Sequence, residues 1–102
     1  MPHALHGVLC MYMAIQDTLK ERGETHGDFA INSQVTQEIK GILERAIRRE
    51  GNSKFYSSQQ MESLDMIAHK LGRIVAGDPS HKDHWDDIAG YATLVANTLS
   101  DD

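Results

Sequence analysis

The sequence predicts an all-α fold, a four-helix bundle forming one domain over residues 1–102. Three observations carry this expectation. Apolar residues recur at steps of three and four along four long segments. Gly23, Gly51 and Gly77-Asp78-Pro79 interrupt those segments. No stretch shows the period-two alternation of a half-buried strand. Long helices with short connections pack as bundles, and 102 residues suffice for one domain rather than two.

The first helix is expected from Ala4 to Arg22, with Gly23 just past its end. Leu5, Val8, Leu9, Tyr12, Ile15 and Leu19 give it one apolar face. A polar loop with two glycines, Gly23 to Phe29, follows. The second helix is expected from Asn32 to Arg49, with Val35, Ile39, Ile42, Leu43 and Ala46 on one side. Arg45, Arg48 and Arg49 suit the negative end of its dipole. The third is expected from Ser58 to Ala76, capped by Ser57 or Ser58, with Leu64, Ile67, Ala68, Leu71, Ile74 and Val75 facing the core. Ser80 and Asp83 have the spacing of a capping box, which opens a fourth helix reaching Leu99. Its core stripe runs from Trp85 through Ile88, Ala89, Ala92, Val95 and Ala96.

The net charge of −5 argues against a bulk nucleic-acid surface, which needs clustered Lys and Arg. An acidic chain can still take a phosphate-bearing small molecule if a divalent cation lies between them. The single cysteine, Cys10, excludes an internal disulfide, and its apolar neighbours suggest a small core residue. Six histidines are present, without a His-Glu-x-x-His pattern. No run approaches the ~20 apolar residues of a membrane helix. The first residues lack the basic start and small-residue cleavage site of a signal peptide. The expected location is cytoplasmic, meaning the host cytoplasm if the chain is phage-encoded.

Candidate chemistry gathers on the last two helices. Glu62 and Asp65 are three residues apart on one side of the third helix, and His69, Lys70 and Arg73 continue that flank. Asp83, Asp86 and Asp87 sit at the start of the fourth. Carboxylates on neighbouring helices can hold Mg²⁺, a hard cation that bridges to phosphate. The helix dipole explains acids near a helix start equally well. A second stripe, His84, Asp87, Tyr91 and Leu94, suggests a subunit interface, a ligand pocket, or both. His26 and Asp28 lie in a glycine-containing loop of the kind that approaches ligands.

Three stretches together carry a resemblance: Glu21-Arg22-Gly23-Glu24-Thr25-His26-Gly27-Asp28-Phe29, Leu64 to Ile74, and Asp83-His84-Trp85-Asp86-Asp87-Ile88-Ala89-Gly90-Tyr91-Ala92. The chain resembles a small phage- and prophage-borne branch of the MazG-like all-α nucleoside triphosphate pyrophosphohydrolases. The resemblance implies Mg²⁺ (or Mn²⁺), held by two acidic pairs, and cleavage of a (d)NTP or modified nucleotide to release pyrophosphate. Glu62 and Asp65 look like the first pair. Asp83 with Asp86, or Asp83 with Asp87, looks like the second, and Asp87 fits better because an apolar residue follows it. Glu62, Asp65, Asp83 and Asp87 are then the expected metal ligands, with Glu62, Asp65 and Asp87 catalytic. His26, Asp28, His69, Lys70, Arg73, His84 and Tyr91 are the expected nucleotide contacts. The resemblance also implies a homodimer or homotetramer. Nucleotide binding without turnover, or a helical protein-interaction module, are the alternatives.

Overall fold

The computed structural model describes residues 2–100. The side chains of His3 and Leu5 lie outside the described residues. The described chain is helical, without a strand: α1 Pro2–His26, α2 Phe29–Arg49, α3 Ser58–Ala76 and α4 Lys82–Ala96, with a 3₁₀ turn at Ser53–Phe55. None of these helices is long and apolar enough to cross a membrane.

The third helix has the expected bounds. Ser57 caps it, accepting from the Gln60 N–H, while the Gln60 side chain accepts from the Ser57 N–H. The first two helices differ from expectation at their junction. Helix α1 runs through Gly23 to His26 and stops at Gly27, which has φ +80°. The Gly27 N–H closes the helix on the Gly23 carbonyl at 3.1 Å. An interior glycine costs about 1 kcal/mol relative to alanine, which a helix can absorb. The polar loop therefore shrinks to Gly27 and Asp28. Asp28 caps α2 by accepting from the Ala30 N–H at 2.8 Å, so α2 starts at Phe29 rather than Asn32.

The predicted Ser80–Asp83 capping box does not form. His81 stands at the N-cap of α4 without a side-chain hydrogen bond. The Asp78 carboxylate accepts from the Ser80 N–H instead, holding the α3–α4 connection as an Asx turn. Helix α4 ends at Ala96 rather than Leu99, beyond which only turn hydrogen bonds continue.

Helix α3 is central, packed by α2 on one side and α4 on another, while α1 touches α2 and α3 only lightly. Close α2–α3 packing depends on Gly72, where a Cβ would run into the Thr36 side chain and the Asn32 carbonyl. The buried set is mostly small or polar: Ala68, Ile74, Asn32, Thr36, Ser63, Lys70 and His84. Several core expectations are therefore corrected. Ile42, Val75, Ala89, Ala92 and Ala96, expected on core-facing stripes, are exposed. The α1 face is uncovered, because every residue from His6 to Glu24 is exposed. Cys10 is exposed with it, since no other helix lies over that stretch. Trp85 is half exposed, its Nε1–H donating to the Pro79 carbonyl at the rim.

Candidate functional site

A cleft lies where the α1–α2 junction meets α3. Its volume is about 590 Å³, within the usual range for a small-molecule site. Helix α1 contributes Leu19, Arg22, Gly23 and His26. The turn and the start of α2 contribute Gly27, Asp28, Phe29 and Asn32, and α3 contributes His69 and Arg73.

Two backbone approaches fix this corner. A Cβ on Gly27 would collide with the Ala76 carbonyl, and one on Gly77 with the Thr25 carbonyl. The Thr25 carbonyl accepts from the Asp78 N–H at 3.0 Å and from His84 Nε2–H at 3.2 Å. That bond ties the end of α1 to α4 and sets the His84 tautomer. Asn32 Nδ2 donates to the His26 carbonyl at 3.2 Å, tying the same corner to α2.

Three histidines meet here, His26 from the end of α1 and His81 and His84 from the start of α4. The His84 ring lies 4.6 Å from His26 and 4.7 Å from His81, both edge-on. His84 is fully buried. His26 Nδ1 lies 2.8 Å from Thr25 Oγ1, a hydrogen bond whose direction follows the tautomer. Burial, and then the nearby Arg73 guanidinium, push the His26 pKa down to about 4, with His84, His81 and Lys70 adding to the effect. Burial, then Arg73, Lys40 and Lys70, likewise lower His69 against the opposing pull of Asp65. His69 Nδ1 is buried without a hydrogen-bond partner. At neutral pH the cleft thus holds two guanidinium groups and two uncharged imidazoles.

Apart from Asp28, the candidate carboxylates lie outside the cleft, and most face basic side chains. Asp87 pairs with the buried Lys70 at 2.9 Å, and the hydrogen bond and charge of Lys70 hold its carboxyl below the ordinary range. Asp65 faces Lys40 at 3.9 Å. Asp83 is largely exposed beside His81, and Asp86 pairs with Lys82 one turn earlier on the outer side of α4. Glu62 is exposed, without an ion pair among the described residues. Asp28 is occupied as the α2 cap. Tyr91 lies with Asp86, Asp87, Gly90 and Leu94 along a shallow groove on α4, apart from the cleft.

This arrangement bears on the Mg²⁺ that the sequence resemblance implies. No group of three or more His, Cys, Asp or Glu among the described residues is placed to hold a metal ion. Asp87 and Asp65 face lysines rather than each other. The described donors of one chain therefore do not fit a Mg²⁺ centre, which needs several oxygens in near-octahedral array.

Sequence reasoning singled out His26, Asp28, His69 and Arg73, which share the cleft, and Lys70 and His84, which lie just behind it. It missed Arg22, Asn32, Leu19 and Phe29. The glycine at position 27, followed by the capping Asp28, was the available signal that α1 and α2 meet in a tight corner. In comparisons with known proteins, the chain matches no family model, no curated protein and no solved structure.

Proposed function

We propose that this protein binds a phosphate-bearing small molecule of the nucleotide class in the cleft between the α1–α2 corner and α3. One observation carries the reading: Arg22 and Arg73 line the same small cavity as His26 and His69, and its one carboxylate is engaged as a helix cap. Guanidinium groups match phosphate oxygens in geometry and charge. The uncharged imidazoles and the Asn32 amide supply polar contacts for a sugar or base. Phe29 and Leu19 offer apolar surface against which a base can lie.

Metal-dependent pyrophosphohydrolysis is the second reading. It rests on the sequence resemblance and on Asp87, a carboxylate held ionised at the α3–α4 interface. Because the described residues of one chain gather no metal-binding group of acids, binding is the better supported function.

A panel of nucleotides, with pyrophosphate and nucleosides as controls, separates the two. A thermal shift that persists in EDTA, with no release of pyrophosphate, is the expected result. Release that requires Mg²⁺ or Mn²⁺ and disappears in Asp87→Asn would establish the hydrolase reading instead. No shift with any phosphate compound would remove both and favour a protein-interaction module.

A further inference from the structure

The chain is far more open than its size allows for a self-sufficient monomer. Its radius of gyration is 18.4 Å, against about 13 Å for a compact domain of this length. Its accessible surface is 7811 Å², whereas a folded monomer of 11.4 kDa exposes about 5,800 Å². The excess, about 2,000 Å² per chain, is of the size that obligate homodimers bury.

Much of that excess is on α1. Val8, Tyr12, Ile15 and Leu19 are each more than half exposed, and at steps of four, three and four they form one continuous stripe. The next residues on that stripe are Arg22 and His26, so the apolar face runs directly into the wall of the cleft. A separate, small hollow lined by Ile15, Leu19 and Arg22 lies between the two. The cleft itself is unfinished on this side: Phe29 lines it yet is 77% exposed.

We infer that α1 is a dimerisation arm, that its occupant is α1 of a second copy of this chain, and that the partner's arm covers the open side of the nucleotide cleft. A second copy is favoured over another protein because the shortfall in burial belongs to folding itself. Among the described residues only two aliphatic side chains, Ala68 and Ile74, are buried. The missing partner must therefore be present whenever the chain folds, and the chain's own copies meet that condition. Charge agrees, because α1 carries no Asp, Glu, Lys or Arg before Asp17. Two arms can cross antiparallel without like-charge contact over most of their length. A crossing centred on Tyr12 brings the start of the partner's α1 beside Leu19 and Arg22, at the mouth of the cleft.

The covering of the cleft rests on the nucleotide-binding reading for its purpose, but its test does not. The mass of the full chain in solution is measured by light scattering, and backbone hydrogen exchange is followed at Leu19–Phe29 in concentrated and dilute protein. Dimers are expected, with exchange at Leu19–Phe29 slowing as dimer forms. Ile15→Glu, at an exposed position, is expected to give monomer. ATP affinity in that variant is expected to fall by at least about tenfold, since the cleft loses its cover. A wild-type monomer at micromolar concentration, or a dimer that survives Ile15→Glu, overturns the arm. Exchange at Leu19–Phe29 that ignores concentration overturns the covering of the cleft, even if no nucleotide binds. If Ile15→Glu fails to fold, the wild-type concentration series still decides both points. Protection that follows dimer formation, with no ATP binding at all, would sink the nucleotide reading and leave the arm standing.

Discussion

The Lys70 ammonium lies 2.9 Å from the Asp87 carboxylate, joining the middle of α3 to α4. Lys70 is buried and Asp87 is about half exposed, so the two partners do not bear equal risk. Removing the carboxylate strands a buried cation, which costs more than leaving an exposed acid alone. Asp87→Asn should therefore lower the melting temperature more than Lys70→Met does. Equal effects in thermal melts at pH 7 would mean that the pair is a surface contact of little consequence.

The corner that shapes the cleft makes a second comparison available. Gly27 and Gly51 both have positive φ, at +80° and +68°. An alanine at Gly51 meets open space, so its cost is the left-handed backbone alone, about 1–2 kcal/mol. An alanine at Gly27 carries that cost and also collides with the Ala76 carbonyl. Urea unfolding should show Gly27→Ala as clearly the more damaging. The reverse order would contradict the close approach of α1 and α3 at this corner.

The α2–α3 contact can be tested by a double-mutant cycle. Gly72→Ala forces a methyl against Thr36 and the Asn32 carbonyl, an overpacking that typically costs about 1–3 kcal/mol. Thr36→Ala removes the hydroxyl that the new methyl would strike. The double variant should be less destabilised than the two single effects added together. Strict additivity would show that the two residues are not in contact.

Acid sensitivity follows from the histidines of the cleft. The His26 pKa is about 4 in the folded chain, against 6.5 for the free side chain. The unfolded chain then binds more protons between these values, so stability falls as pH drops from 6.5 toward 4. His69, also lowered, acts in the same direction. The Asp87 contribution has its own window, since its lowered carboxyl is lost only below the ordinary 3.8. Melting temperature should decline between pH 6.5 and 4, and less steeply in His26→Gln. A profile with no slope in that range, or one unchanged by the substitution, would contradict the half-buried, uncharged state of His26.

Local signals were legible in the sequence where they were self-contained. The bounds of α3 follow from a serine N-cap, which proves to be Ser57, at one end and Gly77-Asp78-Pro79 at the other. Helix periodicity fixed the class but misplaced the core, because an apolar face announces that it needs a partner without naming one. The stripe from Val8 to Leu19 is such a face, and it finds no cover within the chain. Gly23 misled for a related reason: a glycine can end a helix or be carried through one, and the tertiary corner at Gly27 decided. The meeting of His26 with His84 joins residues far apart in sequence, so no local pattern encodes it. Asp87 faces α3 and Asp86 faces outward, a distinction that helix rotation sets and that spacing alone left open.

The cleft's capacity for phosphate is tested most directly by calorimetric titration of the full chain with ATP and with adenosine, in EDTA, for wild type and Arg73→Ala. ATP should bind wild type, and adenosine should bind more weakly. Loss of one charge-assisted guanidinium contact, about 1.5–3 kcal/mol, should weaken ATP by roughly tenfold or more in Arg73→Ala. Equal affinity for ATP and adenosine, or ATP binding indifferent to Arg73→Ala, would contradict a phosphate site in this cleft.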